Sequence, residues 1–253
     1  MSLPEIQMLW VRGTLSTLER LSITSFLKNG HPVRLFSYSD IPNLPYGAEL
    51  EDARNIVPEN DVFTNPSSVG YAGLSMFSNF FRYRLLLSRG GFWADCDLIC
   101  IKPLSLLENM EHVFSSEYLG TNREDKNASP QVHIQSCFLK APPQSKIIER
   151  ALAIAEQVNL MTAPWASTGP KAVQAAVIEL DAMRFVLKPE MFCPFGWWQV
   201  PDFITPTFRV IPEETLAIHF YNEIWRRSFF KKDAAYDPMS LYERLKERYL
   251  GAG

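Results

Sequence analysis

Two aspartates separated by one residue, Asp95 and Asp97, are the residues of this sequence best suited to chemistry. In an extended backbone, residues i and i+2 point to the same face, so the two carboxylates converge. Unpaired, they would repel one another and one would hold its proton, whereas a divalent cation lets both stay ionised. Carboxylate oxygens suit Mg²⁺ or Mn²⁺, which also bind substrate phosphates. We therefore expect a metal site here, although Asp-x-Asp also occurs by chance in surface turns.

An amphipathic helix and a buried strand must position these aspartates. Gly90 and Gly91 are typical of a helix end, and the apolar residues 92–94 that follow predict a buried strand. The acidic pair would then lie at the carboxyl end of a central strand, where open α/β sheets bind their ligands. The helix itself is predicted by apolar residues that repeat at helical spacing before the glycines: Leu74, Phe77, Phe81 and Leu85.

The whole block resembles a known enzyme family. It contains Ser78, Asn79 and Arg82, then Gly90-Gly91-Phe92-Trp93-Ala94-Asp95-Cys96-Asp97, then Lys102-Pro103-Leu104. This combination is similar to the DXD-motif glycosyltransferases with a GT-A fold, in the group of the yeast-type α-mannosyltransferases, the α-1,4-galactosyltransferases and the glucosylating domains of large clostridial toxins. Two residues depart from the pattern, since Asn79 stands where these enzymes commonly carry Asp and Trp93 where Tyr is usual.

The resemblance implies an α/β, GT-A-like fold with a Rossmann-type, mostly parallel central sheet flanked by helices. It implies a metal-dependent retaining hexosyltransferase that uses a nucleotide diphosphate sugar, a UDP-hexose rather than GDP-mannose. The expected acceptor is a glycan or a lipid-linked saccharide, as in polysaccharide or lipopolysaccharide biosynthesis; this expectation depends on the aromatic segment 191–203, the basic residues at 226, 227, 231 and 232 and the lack of an export signal rather than on the resemblance. Asp95 and Asp97 would hold Mn²⁺ (or Mg²⁺), a Lewis acid for the diphosphate. Catalysis would fall to Asp95, Asp97 and Arg82, with Arg82 on the donor sugar or diphosphate.

Donor contacts are expected along the chain. Strand, helix and strand within residues 5–38 predict a right-handed βαβ unit. The resemblance places Trp10 and Tyr38 at its strand ends, where the family holds base and ribose, although Trp10 could equally be core. The full set of residues expected to bind the nucleotide sugar is Trp10, Tyr38, Asn79, Arg82, Trp93 and Trp225.

Residues 217–225 resemble the closing segment of the family, in which a His and a downstream Trp face the diphosphate. His219 would then be a third metal ligand through one ring nitrogen. A lone His is more often structural, so that alternative stays open.

Two further regions could contact substrates. Residues 191–203 are rich in aromatic side chains, and Trp197 and Trp198 could form a platform for the sugar rings of an acceptor. The alternative is a hydrophobic loop that closes the core. The polar stretch 120–130 could form a lid, and Gln135 stands near where relatives place a donor-contacting amide.

Length and composition limit the function further. The 253 residues fit a single α/β domain, with a nucleotide-sugar-binding half (1–105) and an acceptor-side half (106–253) that ends in a helix. A hydrophobic fraction of 47% excludes a disordered chain. The net charge of −3 argues against nucleic acid as a partner, because binding it needs a basic face.

Localisation is expected to be cytoplasmic. No apolar run is long enough to span a membrane and no leader-like segment is visible. A basic patch, defined as Arg226, Arg227, Lys231 and Lys232, could rest on the inner face of a membrane or simply be solvated. The four cysteines lack the spacing of a zinc site, which favours reduced thiols: Cys96, Cys100, Cys137 and Cys193.

Two alternatives belong to other functional classes. Phosphatases that form an aspartyl phosphate also use Asp-x-Asp, but on an early strand, whereas Asp95 follows a complete βαβ unit. A catalytically idle module that only binds sugar nucleotides is supported by Asn79 alone.

Overall fold

A six-stranded sheet carries the predicted site. The computed structural model describes residues 3–64, 73–120, 131–164, 166–206 and 210–251. The strands in these ranges are β1 (Ile6–Leu9), β2 (Val33–Ser37), β3 (Glu49–Asp52), β4 (Gly91–Ala94), β5 (Leu98–Cys100), β6 (Val113–Tyr118), β7 (Val132–Ala141) and β8 (Ala217–His219). The α-helices in the same ranges are α1 (Thr17–Lys28), α2 (Leu74–Arg89), α3 (Lys146–Glu156), α4 (Pro170–Glu179), α5 (Asn222–Arg227) and α6 (Leu241–Leu250).

Strand β4 lies where the sheet changes direction. The order is β3-β2-β1-β4-β7-β6, and β5 pairs with β8 in a separate two-stranded sheet. Strand β1 runs parallel to β2 and β4, and β2 runs parallel to β3. Strand β7 is antiparallel to both β4 and β6. The prediction of an α/β fold with a mostly parallel sheet flanked by helices is confirmed.

The two faces of the sheet bury different helices because side chains alternate along each strand. Leu9, Phe36 and Trp93 point to one face and share a core with α2, α3 and α4. Met8, Leu35 and Phe92 point to the other, where they pack with residues of α1. A third core, which includes Trp225, forms between the outer side of α1, α5 and α6. Sheet and helices together hold β4 in a buried, central position.

The turn from α2 into β4 is built from two glycines. Gly90 has φ +66° and ψ −157°, a conformation open almost only to glycine. A Cβ at Gly90 would lie 2.6 Å from Cδ of Pro143, so the space is closed as well. The Gln7 side chain donates a hydrogen bond of 2.8 Å to the Gly90 carbonyl. The start of β4 is therefore fixed on both sides.

Two elements lie elsewhere than their sequence patterns predict. The prolines and polar residues of 40–70 predict mostly loop with short strands at best around 53–57, but the strand is Glu49–Asp52, and residues 53–55 form a 3-10 turn capped by Asp52. Arg34 holds this edge strand through the carboxylates of Glu49 and Glu51. Asp237 and Pro238 predict the start of the last helix, but it begins at Leu241, where the Ser240 side chain accepts a bond from the Glu243 N–H.

Strands from both predicted halves join the six-stranded sheet, so the two halves share a core and the boundary at residue 105 stays a prediction. The predicted lid at 120–130 lies, apart from Gly120, outside the described residues. Among the helices that are described, none is long and apolar enough to cross a membrane.

Candidate functional site

Asp95 and Asp97 lie on the three-residue connection between β4 and β5, at the carboxyl end of β4. The Asp95 N–H donates to the Cys137 carbonyl on β7 (2.8 Å), which extends the large sheet. The Asp97 carbonyl accepts from the Phe220 N–H just after β8 (2.9 Å), which extends the small sheet. Each aspartate is thus anchored by its backbone to a different sheet.

Asp95 is held by two donors. Its Oδ1 accepts from Nη2 of Arg82 at 2.9 Å and from Nε1 of Trp93 at 2.8 Å. About a quarter of the side chain is exposed (26%). Burial raises the pKa of Asp95 to about 7, against the opposing charge of Arg82 and with the help of Asp97. A cation beside Asp95 would favour its ionised form.

Asp97 is more deeply buried and has one oxygen to spare. Its Oδ2 accepts from the Asn222 N–H (2.7 Å) and lies 3.4 Å from Nε2 of His219. Burial acts to raise the pKa of Asp97, but His219 and the Asn222 N–H outweigh it and hold the pKa below its ordinary value. Within the described residues, Oδ1 is buried without a hydrogen-bond partner. An anionic oxygen in that state is a ready ligand for a cation.

His219, at the end of β8, completes a three-residue cluster. Each of Asp95, Asp97 and His219 offers one ligand atom, and these three atoms lie within 4.8 Å of one another. The imidazole packs on the ring of Tyr221, with centroids 4.1 Å apart. Two carboxylates and an imidazole fit Mn²⁺ or a similar divalent ion. The structure therefore brings together the three residues predicted to hold a metal.

The other side of the same imidazole faces two thiols. Sγ of Cys193 lies 3.9 Å from Nδ1 of His219 and 3.9 Å from Sγ of Cys137. All three residues are buried, and their ligand atoms lie within 4.8 Å of one another. Sequence reasoning missed this cluster because its members are separated by 56 and 26 residues. No local spacing signals it.

Arg82 is committed to holding the site together. Its side chain is almost fully buried, and besides Asp95 it donates from Nη1 to the Ser136 carbonyl. The guanidinium also lies 5.1 Å from the centre of the Trp93 ring. One turn earlier on α2, Nδ2 of Asn79 donates to Oγ1 of Thr168 at 3.0 Å. The polar face of α2 thus joins the aspartates to the segment that precedes α4.

The remaining residues predicted to contact the donor are Trp10, Tyr38 and Trp225. The Tyr38 hydroxyl is buried and donates to the Val57 carbonyl at 2.9 Å. Trp225 is fully buried in the core between α1, α5 and α6, and Trp10 is half-buried after β1. In the described part of the chain, none of these three side chains forms a hydrogen bond to Asp95 or Asp97.

Six buried side-chain nitrogen and oxygen atoms have no hydrogen-bond partner among the described residues, although such atoms are normally satisfied in folded proteins. Four of them belong to residues predicted to bind metal or donor, and of these Asp97 Oδ1 and Arg82 Nε belong to the aspartate site, where a bound ligand would explain them. The six are Trp10 Nε1, Arg82 Nε, Asp97 Oδ1, His112 Nδ1, Glu117 Oε2 and Trp225 Nε1.

The aromatic segment divides between the two functions predicted for it. Phe195 and Phe203 are buried in the core, as the loop-closing alternative expects. Trp197 and Trp198 stand edge to face, 5.8 Å apart, with Trp197 45% exposed. An exposed indole is available to a sugar ring.

The basic patch is largely neutralised. Arg226 and Arg227 both bind Glu223, at 2.6 and 2.7 Å, and Lys232 pairs with the buried Glu19. This pairing favours the solvated alternative, and peripheral membrane contact stays a prediction.

Tyr221 and Asn222, near Asp97, were not predicted as site residues, although they lie within the segment 217–225. Tyr221 has φ +50°, a left-handed conformation that is rare for an aromatic residue. Its hydroxyl donates to the Phe195 carbonyl at 2.8 Å, which helps to hold this strained backbone. This backbone conformation leads the chain into α5 and directs the Asn222 N–H to the Asp97 carboxylate.

Comparison with known proteins gives no match to the sequence: no model of a known protein family matches it, and no curated protein matches it. Among solved structures, the PaToxG glycosyltransferase is similar with a TM-score of 0.46 and 15% identity, over 72% of this chain and 70% of that chain. The apo-form glycosyltransferase GlyE of Streptococcus pneumoniae TIGR4 is similar with a TM-score of 0.45 and 12% identity, over 92% of this chain and 61% of that chain. This chain therefore spans less than two thirds of GlyE.

Proposed function

We propose that this chain is a metal-dependent, retaining glycosyltransferase that moves a hexose from a nucleotide diphosphate sugar to a glycan or lipid-linked saccharide. One observation carries the proposal. Asp95, Asp97 and His219 converge at the carboxyl end of a central strand, and the buried Oδ1 of Asp97 lacks a partner among the described residues. The fit of carboxylate and imidazole ligands to Mn²⁺, or Mg²⁺, supports metal dependence.

The chemistry follows from what leaves the sugar. Breaking the bond to a nucleotide diphosphate releases negative charge, and a divalent ion supplies Lewis-acid stabilisation of that charge when bound. Asp97 would hold the ion through Oδ1, Asp95 through the oxygen not bonded to Arg82 and Trp93, and His219 through Nε2. Arg82 keeps Asp95 in place and adds a positive charge beside the diphosphate.

The donor contacts separate into two kinds. Trp10 Nε1 has no hydrogen-bond partner among the described residues, so we assign it to ribose or phosphate oxygens of the donor, whereas the fully buried Trp225 supports the site from the core between α1, α5 and α6. The polar groups of Tyr38, Asn79 and Trp93 are bonded within the protein. We therefore assign these three to shaping the donor site rather than to reading the donor directly.

Donor identity, stereochemistry and acceptor are supported by other observations. Preference for a UDP-hexose and retention of configuration are supported by the resemblance of the motif block. An acceptor approached across Trp197 and Trp198 is supported by the exposure of Trp197.

Calorimetry with UDP and GDP, with Mn²⁺ and then with EDTA, tests metal dependence. We expect measurable nucleotide binding only with Mn²⁺. Thermal shift with a panel of nucleotide sugars, followed by a donor-hydrolysis assay, identifies the donor.

The variant Asp97→Asn should lose at least 100-fold in hydrolysis, because it removes a ligand charge and touches no apolar packing. Asp181→Asn, an exposed substitution after α4, is the matched control. Equal affinity in EDTA, or near-normal turnover in Asp97→Asn, would contradict the proposal. Mn²⁺-dependent binding without any hydrolysis would favour the idle binding module.

A further inference from the structure

A second group of metal-binding side chains lies directly behind the first. Cys137 on β7, Cys193 after the 3-10 turn Pro189–Met191, and His219 at the end of β8 bury their ligand atoms against one another. We propose that these three residues form a separate site for a thiophilic divalent ion, Zn²⁺ above all, which takes Nδ1 of His219 and competes with the carboxylate site for this imidazole.

The distances suit tetrahedral zinc. Two sulfurs each about 2.3 Å from such an ion are about 3.8 Å apart, and a sulfur and an imidazole nitrogen are about 3.6 Å apart. The observed separations are 3.9 Å between the sulfurs and 3.9 Å between Sγ of Cys193 and Nδ1 of His219. Small shifts of side chains would bring all three to bonding distance. Three protein ligands leave the fourth position to water.

The other two cysteines show what an ordinary buried thiol does in this fold. Sγ of Cys96 donates to the Leu9 carbonyl and Sγ of Cys100 to the Lys102 carbonyl. The thiols of Cys137 and Cys193 face each other, and Sγ of Cys193 also faces the imidazole, while Sγ of Cys137 lies 3.3 Å from Oγ of Ser115. Together with His219 they form a group of three potential ligands, which includes neither Cys96 nor Cys100.

The surroundings hold these ligands in position. The Cys137 carbonyl accepts from the Asp95 N–H (2.8 Å), and the His219 N–H donates to the carbonyl of Phe192 (3.0 Å), the neighbour of Cys193. On the far side of the ring, Nε2 of His219 lies 3.4 Å from the Asp97 carboxylate. Zinc-bound histidines commonly donate their second ring N–H to a carboxylate, so Asp97 suits this role.

The two metal sites compete because they share one imidazole, that of His219. When Zn²⁺ binds Nδ1, the two thiols release their protons to solvent and the neutral ring carries its proton on Nε2. Nε2 then donates to Asp97 and is lost as a ligand for the carboxylate site. This regulatory part rests on the proposed function, whereas zinc binding itself does not.

Co²⁺ tests the site without any activity assay, because thiolate ligation gives cobalt an intense near-ultraviolet charge-transfer absorption that oxygen ligands do not. We expect reduced protein to bind one equivalent with this absorption and Zn²⁺ to displace it. Cys137→Ser and Cys193→Ser should each weaken binding at least tenfold. Cys100→Ser, equally buried but with its thiol directed to the Lys102 carbonyl rather than to His219, and Asp95→Asn should keep the absorption. Cys193→Ala is the second variant if serine disturbs folding, which circular dichroism reports.

The proposal is overturned if wild-type protein shows no thiolate absorption with Co²⁺, or if Cys193→Ser and Cys193→Ala keep it. Zn²⁺ at one equivalent should lower Mn²⁺-supported donor hydrolysis in wild type and spare it in Cys193→Ala. Equal inhibition of both overturns the competition. Thiolate absorption in a protein that hydrolyses no nucleotide sugar would establish the zinc site and contradict the glycosyltransferase proposal alone.

Discussion

Arg82 joins three parts of the site through one side chain. Its Nη2 binds Asp95, its Nη1 binds the Ser136 carbonyl on β7, and its guanidinium covers the Trp93 ring. A planar fork can serve several acceptors at once, which the single ammonium of lysine cannot do in the same geometry. The position of Asp95 thus depends on arginine specifically and not only on positive charge.

Arg82→Lys should therefore lower the free energy of unfolding by about 2–3 kcal/mol, since buried hydrogen-bonding groups lose partners. It should also weaken Mn²⁺ binding, measured by electron paramagnetic resonance, about tenfold. Arg84→Lys is the matched control on the same helix, because its ion pair with Glu156 is long (3.7 Å) and exposed. Equal urea-unfolding curves for the two variants would contradict this role.

The sequence predicted those site residues whose relation is local. Asp95 and Asp97 follow from the two-residue repeat of an extended chain, and Arg82 from the resemblance of the motif block that begins on the preceding helix. His219 came from the resemblance of a distant segment. Cys137 and Cys193 could not be found, because only the packing of β7 beside β4 and of residue 193 beside β8 brings them together.

The α2 to β4 turn decides whether the aspartates reach their place. Gly90→Ala should lower the free energy of unfolding by about 3 kcal/mol or more, because strain at positive φ adds to a 2.6 Å approach to Pro143. Gly13→Ala shares the positive φ (+86°) but meets no atom within 4 Å, so it should cost only about 1 kcal/mol. Urea unfolding measures both, and equal losses would mean that close packing at Gly90 contributes nothing.

An element could be predicted from the sequence where its buried residues form a regular apolar pattern. Apolar residues at helical spacing in 142–158 predict a helix, and α3 (Lys146–Glu156) confirms it, because its buried residues repeat at that spacing. Strand β3 was missed because it is an edge strand whose exposed glutamates bind Arg34 instead of a hydrophobic core. A strand held by charge leaves no apolar alternation to detect.

His31 ties distant parts of the whole molecule. Its Nδ1 bonds the Pro4 carbonyl at 2.9 Å, and its Nε2 accepts from the Leu104 N–H at 3.0 Å. Both bonds together need the neutral ring with its proton on Nδ1. Burial lowers the pKa of His31 below its ordinary 6.5, against a smaller opposing effect of the Pro4 carbonyl.

As the pH falls to about 6.5, His31 therefore binds a proton in the unfolded chain, whereas in the native chain it stays neutral. Stability should fall as pH drops through 6.5, until the lower folded pKa is passed. In His31→Gln, urea unfolding between pH 7.5 and 5 should show a shallower fall. Parallel curves for the two proteins would contradict this assignment.

At the scale of the molecule, the parallel half of the sheet was predictable and the rest was not. A helix between two strands, as in residues 5–38, returns the chain so that the two strands run parallel, with a right-handed crossover. The antiparallel direction of β7 beside β4 depends on long connections that carry no such rule. The sequence thus predicted the parallel part of the frame, and the structure was needed to join β7 and β6 to it.

The Asp95-Cys96-Asp97 connection also acts as a joint between the six-stranded and the two-stranded sheet. Its first residue belongs by backbone hydrogen bonding to the six-stranded sheet and its last to the two-stranded sheet. An ion bound by both aspartates would fix the two sheets relative to one another, so its binding would slow local opening of the strand pairing around β8. Amides of Ile218 and Phe220 should exchange hydrogen at least tenfold more slowly with Mn²⁺ and nucleotide than without them, and unchanged exchange would mean that the joint is already rigid.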